Sequence, residues 1–213
     1  MDPQGGLHMV NRKNISALLG TLLVSAGLLV SCNVPTSTPK DETPFSFNTI
    51  RLFPFQNINN WWRYTEKNGN MLSISVIDTI SDNDITYYKV SFKENNRDTT
   101  DDWFRSSADG IQYNTHLIGT YETFLPAQLQ GKTGTFKSAT DVVSYTYHDS
   151  SLINSKLFTQ VIACKYPATM LHGFDEIDFA DSIGVVSMVD TTGRFPTVYA
   201  LDSAYIDGVL RRF

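Results

Sequence analysis

Two cysteines occur in 213 residues, too few for a disulfide framework or a zinc cluster. Basic residues are also scarce. The chain has 17 Lys and Arg against 22 Asp and Glu, and the net charge of −5 argues against a dedicated nucleic-acid binder. Only 18% of residues are charged while 41% are hydrophobic, which excludes the disordered class. The composition predicts a globular protein with one sizeable core or two small ones.

The signature motifs of several enzyme classes are missing. No Gly-x-Ser-x-Gly elbow, Ser-x-x-Lys, zinc, haem or dinucleotide motif occurs. Gly131-Lys132 is not a phosphate-binding loop, because Pro126 stands where that loop needs its first glycine, so we interpret it as a hairpin turn. We therefore expect no cofactor, no metal site and no enzymatic activity. A hydrolase that uses Asp and Glu remains the alternative, because such carboxylates have no universal spacing.

The first 31 residues have the order of a secretory signal peptide. Arg12 and Lys13 supply a short positive region, and residues 15–30 carry no charge and are rich in Leu, Val and Ala. This apolar stretch is shorter than the roughly 20 residues that span a bilayer as a helix. We therefore predict a signal helix over residues 1–31 that is removed from the mature protein.

The end of the apolar stretch, Leu29-Val30-Ser31-Cys32, resembles the lipobox of bacterial lipoproteins. The resemblance implies cleavage between Ser31 and Cys32 and attachment of acyl chains to the Cys32 thiol, which would hold the protein on a membrane. Asn33 follows the cysteine where Asp would favour the inner membrane. We therefore expect a lipid-anchored protein of the bacterial cell envelope, in the outer membrane.

The mature chain divides into a tether and one domain. Residues 32–44 are the lipidated cysteine and a spacer rich in Pro, Thr and Ser, a composition typical of flexible segments. Removal of the leader changes the net charge to −6, and nothing after Cys32 is long and apolar enough to span a bilayer. We expect residues 45–213 to form a single, monomeric, water-soluble β domain.

Strand-like segments alternate with turn residues throughout this domain. In residues 71–78, which follow Asn68-Gly69, polar and aliphatic residues alternate over the early part. Further turns are predicted at residues 81–84 and 148–151. Helical apolar spacing is absent after Cys32, and most connections are too short for parallel crossovers. The predicted fold is all-β, an antiparallel and strongly curved sheet that forms an open barrel or a sandwich.

The domain opens with Phe53-Pro54 and a polar stretch, which are followed by Trp62 and, two residues later, by Tyr64. With residues 179–186 and Asp207-Gly208 near the end, they resemble a group of bacterial secreted and lipoprotein domains. Asn59 stands where that group usually has glycine. The group is β-rich and largely uncharacterised. The resemblance implies one β domain from about residue 45 to the end and supplies no activity.

We interpret two sets of potentially reactive residues as having no catalytic or metal-binding role. A catalytic cysteine needs a lowered pKa and a histidine partner, and no spacing ties His116, His148 or His172 to Cys164. We predict a buried, inert thiol there. Residues 172–178 gather a histidine and three carboxylates, whose oxygens a hard metal could use. They lack calcium-loop spacing, and we interpret them as a solvated acidic loop.

Trp61 and Trp62 are adjacent on a predicted strand and must point to opposite faces of the sheet. One is expected in the core, and the other is a candidate for a ligand face or an interface. The leading hypothesis is a non-catalytic, lipid-anchored module that binds an unidentified ligand or envelope partner, and no nucleic acid. The alternative is a secreted, carboxylate-dependent hydrolase, for example one acting on glycans.

The geometry of the site separates these functions. A cleft with two carboxylates about 5–10 Å apart would favour the hydrolase. A dry apolar pocket would favour a carrier, and a flat exposed apolar patch would favour a protein partner.

Overall fold

The computed structural model describes residues 45–52, 55–95, 97–167, 173–191 and 195–213. The predicted signal helix, Ser31, Cys32 and the spacer lie outside these residues. Within them, no helix combines the length and the apolar character needed to cross a bilayer. The described chain forms a 3₁₀ turn at Thr49–Leu52 and fifteen strands: β1 (Ser46–Asn48), β2 (Trp61–Glu66), β3 (Met71–Asp82), β4 (Ile85–Glu94), β5 (Arg97–Ser107), β6 (Gly110–Asn114), β7 (Glu122–Pro126), β8 (Gln128–Gln130), β9 (Thr133–Ser138), β10 (Asp141–Ile153), β11 (Lys156–Lys165), β12 (Phe174–Ala180), β13 (Gly184–Asp190), β14 (Thr197–Ile206) and β15 (Val209–Arg212).

Two antiparallel meanders build the main sheet. Strands β2 to β7 pair consecutively, and so do strands β9 to β14. Pairing of β14 with β2 joins the two meanders into one sheet. Strands β7 and β9 stand at the ends of this path and lie against each other, so the sheet is nearly closed. The predicted all-β, antiparallel and strongly curved sheet is confirmed.

Two short strands complete the architecture. Strand β1 pairs with β8, which links the two meanders. On one edge, β14 pairs first with β13, through Thr197–Ala200, and then with β15, through Ser203–Ile206. A register shift at Asp202 separates the two regions on the side facing β2. The chain therefore ends beside the strand that joins the meanders.

Residues that tolerate positive φ form the tight turns. Asn83 and Asp84, with φ of 48° and 64°, join β3 to β4. Asn154 and Ser155, with φ of 47° and 64°, join β10 to β11. Positive φ at both central residues is typical of the type I′ turn, whose twist matches that of a two-stranded hairpin. The turn predicted at residues 81–84 is thus two residues shorter than expected, because Ser81 and Asp82 continue β3.

Two polar segments that the sequence predicts as turn or loop are strands. Residues 148–151 lie inside β10, so the predicted break is wrong. The solvated acidic loop predicted at residues 172–178 is also wrong, because Phe174–Ala180 is β12, while His172 lies outside the described residues. Carboxylates are tolerated in β12 because alternation turns Ile177 towards the core and leaves its neighbours on the outer face.

Side chains of both meanders fill the inside of the curved sheet. Phe124 of β7 contacts Phe104 of β5 and Phe179 of β12, with ring centroids 5.6 and 5.4 Å apart. The space left among the core side chains is about 10 Å³, roughly what one water molecule needs. This part of the concave face is therefore packed as closely as a protein interior.

Buried polar groups tie β2 to the opposite meander. The Trp62 indole N–H donates a hydrogen bond of 2.7 Å to the carbonyl of Ile183. The Tyr64 hydroxyl donates one of 3.0 Å to the carbonyl of Val185. Large aromatic side chains are accommodated in a core when their polar atoms find partners in this way. The inner face of β2 is thus fixed by both packing and hydrogen bonds.

Candidate functional site

The two adjacent tryptophans face opposite sides of β2. Trp62 is 1% exposed and lies in the core, as expected for one of the pair. Trp61 lies on the outer face and is partly exposed. Its cross-strand neighbour on β14 is Tyr205, and the two rings are within 12° of parallel with centroids 6.3 Å apart. Trp61 is therefore the tryptophan of this pair that a ligand or partner can reach.

Exposed aliphatic residues surround this aromatic pair. Ile58 and Ile77 are 46% and 45% exposed, and with Trp61 and Tyr205 they line an open hollow of about 520 Å³. Leu210, the β15 neighbour of Tyr205, is 50% exposed. We call these five residues the Trp61 patch. Contiguous exposed apolar residues of this kind mark interaction sites on soluble domains.

Hydrogen bonds fix the loop that carries Ile58, just before β2. The backbone N–H of Asn59 donates to the carbonyl of Val76 at 3.2 Å, and the N–H of Val76 donates to the carbonyl of Asn60 at 3.0 Å. The side-chain amides of Asn57 and Asn60 both donate to Asp207, in the β14–β15 turn. These bonds hold the loop against the sheet, so the hollow is preformed in the unbound protein.

Asn59 adopts a conformation suited to glycine. Its φ is 78°, in the left-handed region that most side chains avoid and that Asn tolerates better than most. Asn59 therefore forms the turn that leads into β2, and it also lines the hollow.

The hollow is uncharged. Its remaining lining residues are Asn59, Asn60, Ser75 and Val76, which supply amide, hydroxyl and backbone groups. The Arg63 guanidinium lies 5.5 Å from the centroid of the Trp61 ring. The lining contains no carboxylate, imidazole, amine or thiol side chain. Its aromatic, aliphatic, amide and hydroxyl groups can contact a ligand or partner through packing and hydrogen bonds.

A second hollow lies on the outer face of strands β10 to β12. It measures about 220 Å³, and Lys165, Glu176 and Asp178 contribute its charged lining. Lys165 and Glu176 form an ion pair of 2.6 Å. Glu176 and Asp178 are two positions apart on one strand, which separates them by about 6.6 Å on the same face. Two acidic residues beside one hollow are the kind of arrangement that a carboxylate-dependent hydrolase would need.

Asp178, in β12, has a raised pKa. Burial, with a smaller contribution from the charge of Glu176, raises the pKa of Asp178 to about 6, and His148 opposes this shift. A carboxyl group with a raised pKa is a feature of general acids. Partly buried carboxylates in structural sites show the same behaviour, so the shift alone does not identify an active site.

Cys164 cannot serve as a nucleophile in this fold. It is 2% exposed and points into the core beside Tyr145, its neighbour on β10. Burial raises the pKa of its thiol well above the usual value. His148 and His116 are both exposed, and neither lies on the inner face with Cys164. The predicted burial of this thiol is confirmed, and its lack of reactivity stays a prediction.

The structure adds residues that the sequence did not single out. Tyr205 and Leu210 come from the last two strands, and the pairing of β14 with β2 and β15 brings them to Trp61. Ile58 lies in the loop just before β2, which is hydrogen-bonded to Val76 of β3. Among the described residues, no group of three or more His, Cys, Asp or Glu is arranged to hold a metal ion. The predicted lipidation and cleavage residues, Cys32 and Ser31, lie outside the described residues.

Comparisons with known proteins give little further information. No family model matches the chain, and no curated protein matches it. The chain is similar to a solved structure of a putative lipoprotein from Parabacteroides distasonis, with 10% identity over 75% of this chain and 98% of that chain, and a TM-score of 0.28. A TM-score this low does not transfer fold or function from that protein to this one.

Proposed function

We propose that this protein is a lipid-anchored module of the bacterial cell envelope that binds an envelope protein through the Trp61 patch, without catalysis. The anchor is the acylated Cys32, and the location is the outer membrane. The support for the anchor is the order of residues 12–33, namely a basic start, an uncharged apolar stretch, the lipobox-like Leu29–Cys32 and Asn33.

The Trp61 patch is the observation that carries the binding function. Trp, Tyr and Arg are the residue types enriched at the energetic centres of protein interfaces, and Trp61, Tyr205 and Arg63 are neighbours here. The hollow beside them is lined by apolar side chains and by uncharged polar groups, so it suits an apolar side chain that a partner inserts and hydrogen bonds around it. The small gap of about 10 Å³ among the core side chains favours this surface over the interior as the binding site.

Mass spectrometry of membrane-extracted protein tests the anchor. The proposal expects a mature N-terminus at Cys32 that carries acyl chains, and fractionation of the protein with the outer membrane. An intact leader, or a different mature N-terminus, would show that the lipobox resemblance misleads. Fractionation with the inner membrane would contradict the location alone.

Photo-crosslinking in the native host tests the patch. A benzophenone amino acid replaces Ile58 or Ile77 in the full-length protein, and a third chain carries it at Val142, which is 60% exposed on β10. We expect one discrete protein adduct from positions 58 and 77, none from 142, and loss of the adduct when Trp61→Ala is added. Absence of an adduct at both patch positions, or the same adduct at all three positions, would reject the binding site.

The second hollow favours one alternative, a glycan-directed hydrolase with Asp178 as the acid and Glu176 as the base or nucleophile. The supporting observation is that two acidic residues lie two positions apart on one face of β12, and one of them has a raised pKa. Assays with a panel of chromogenic glycosides and purified peptidoglycan test this alternative. Turnover that is lost in both Asp178→Asn and Glu176→Gln would replace the binding proposal with the enzymatic one.

A further inference from the structure

The end of the β10–β11 hairpin is a separate arm. Strand β11 pairs with β12 only from Val161 onwards. The residues before Val161, on the side of the hairpin turn, pair with β10 and have no other neighbour in the main sheet. Gln160, with φ of 51°, marks the irregularity where this part of the hairpin starts. We call residues Ser150–Thr159, with the turn at Asn154 and Ser155, the arm.

One face of the arm is packed onto the domain. Phe158 is 3% exposed, and its ring centroid lies 5.4 Å from that of the C-terminal Phe213. The Lys156 ammonium group donates a hydrogen bond of 3.2 Å to the carbonyl of Leu201 on β14. The cross-strand partner of Lys156 is Ile153, which packs against the core. These contacts fix the arm against the domain.

The opposite face of the arm exposes two leucines. Leu152 and Leu157 are cross-strand neighbours, and each is 70% exposed. Strand alternation places them on the side away from Phe158 and Lys156. Serine and threonine, at Ser150 and Thr159, are the next pair on the same face. An apolar pair displayed on a fixed arm, with its other face already packed, has the form of a docking surface.

The arm carries no acidic residue. Between Ser150 and Thr159 there is no Asp or Glu, and Lys156, on the packed face, is the one charged residue. The face that exposes Leu152 and Leu157 is therefore uncharged. An exposed apolar pair on a face without acidic residues suits contact with the surface of a bilayer.

The tether enters the domain at the root of the arm. Phe45, the first described residue, contacts Tyr147 with ring centroids 4.6 Å apart, and Tyr147 precedes the arm by three residues. From there to Leu152 the strand rises about 17 Å. The chain from Cys32 to Phe45 can span at most about 45 Å. The leucine pair is thus within reach of the surface that holds the anchor.

We propose that the Leu152–Leu157 face of the arm rests on the lipid surface to which Cys32 is anchored. This inference depends on the lipid anchor of the proposed function and adds a second membrane contact to it. One acyl or apolar contact alone gives weak and reversible attachment, and a second contact also fixes the orientation of the domain. The Trp61 patch would then have a defined direction relative to the membrane.

Depth-dependent quenching tests the contact. We expect neither the acylated thiol of Cys32 nor the buried Cys164 to react with maleimides, so a bimane label is placed on Leu157→Cys in the full mature protein. A matched protein carries the label on Ile118→Cys, at a residue that is 88% exposed in the β6–β7 loop. Both are reconstituted in vesicles of phosphatidylethanolamine and phosphatidylglycerol at 3:1 with doxyl-labelled lipid.

We expect at least twofold stronger quenching at position 157 than at position 118, and weaker quenching at 157 when Leu152→Ser is added. A mature chain with Cys32→Ser and an N-terminal hexahistidine tag, held by nickel-chelating lipid, repeats the measurement without acylation. Quenching at 157 in this chain supports the arm contact even if mass spectrometry finds Cys32 unmodified. Equal quenching at the two positions, or none at 157 with either anchor, overturns the proposal.

Discussion

The hydroxyl of Tyr166, at the end of β11, donates a hydrogen bond of 2.7 Å to the backbone carbonyl of Phe124 on β7. The two rings also stack, with centroids 5.4 Å apart and planes 20° from parallel. β7 and β11 belong to different meanders and do not pair with each other. This contact therefore fastens together two parts of the sheet that no strand ladder connects at that point.

Loss of the Tyr166 hydroxyl should destabilise the fold. In Tyr166→Phe, the buried carbonyl of Phe124 loses its partner, and we expect the free energy of unfolding to fall by about 1–3 kcal/mol. Urea denaturation followed by fluorescence measures it. Tyr205→Phe is the matched control, because that hydroxyl has no hydrogen bond among the described residues, and its stability should be unchanged. Equal losses in both variants would contradict the assigned role.

Substitution of the two adjacent tryptophans should separate stability from binding. Trp62→Ala leaves a large cavity in the core and is expected to cost about 3–5 kcal/mol of unfolding free energy. Trp61→Ala lies on the outer face and should cost about 1 kcal/mol or less. Thermal unfolding of both variants checks this contrast. A Trp61→Ala protein that is as unstable as Trp62→Ala would mean that Trp61 is structural.

The raised pKa of Asp178 predicts a pH dependence of stability. Because the folded pKa of about 6 exceeds the ordinary value of 3.8, the folded state binds the proton more tightly than the unfolded chain. The stabilising contribution is complete below about pH 4 and is lost as the pH rises towards 6. We expect Asp178→Asn to match the natural protein at pH 4 and to exceed its stability at pH 7.5, by up to about 3 kcal/mol. Urea midpoints at both pH values decide this, and a difference that does not change with pH would reject it.

The Cys164 thiol should be unreactive in the folded protein. Burial both blocks access and raises the thiol pKa, so the thiolate fraction at pH 8 is very small. We expect no reaction with a disulfide reagent such as Ellman's over an hour, and one equivalent of thiol from Cys164 after unfolding in guanidinium. Rapid modification of the native protein would indicate that the core around β11 opens readily.

The start of the stable domain should lie close to Phe45. Phe47 is 7% exposed, and β1 pairs with β8. The backbone N–H of Thr49 donates to the carbonyl of Ala127 at 3.1 Å. A chain that begins at Thr43 should be monomeric and as stable as the mature protein, whereas a chain that begins at Thr49 should lose about 3–5 kcal/mol with Phe47. Aggregation or lower stability of the longer chain would show that the segment before Thr43 contributes to the fold.

The sequence was sufficient to predict most strands, because alternation and turn residues are local signals. The early part of β3 and the Asn83 region illustrate this. Errors arose where polar residues continue a strand. His148 and Ser150 are exposed along β10 and its arm, and Glu176 and Asp178 lie on the outer face of β12. A strand with several exposed polar residues is easily predicted as a loop, because the few buried residues between them give only a weak alternation signal.

The candidate site was only partly predictable. Alternation alone shows that one of Trp61 and Trp62 must face outwards, but the choice between them depends on which side of the sheet closes around the core. Tyr205 lies 144 positions from Trp61 in the sequence, and no local pattern reports the pairing of their strands. The presence of Tyr205 beside Trp61 in the hollow therefore depends on the register of β14 on β2, which no local sequence pattern indicates.

Pairing of β2 with β14 also constrains the order in which the chain can fold. The first long strand finds its second neighbour only near the C-terminus, so the sheet has a high contact order and its closure is slow compared with that of a local hairpin. While the last 17 residues are still missing, β2 keeps an unpaired edge and the two meanders remain unjoined. The sheet can therefore be completed only after β14 has been made, so a chain that has not yet emerged as far as β14 from the ribosome or from a narrow channel cannot join its two meanders.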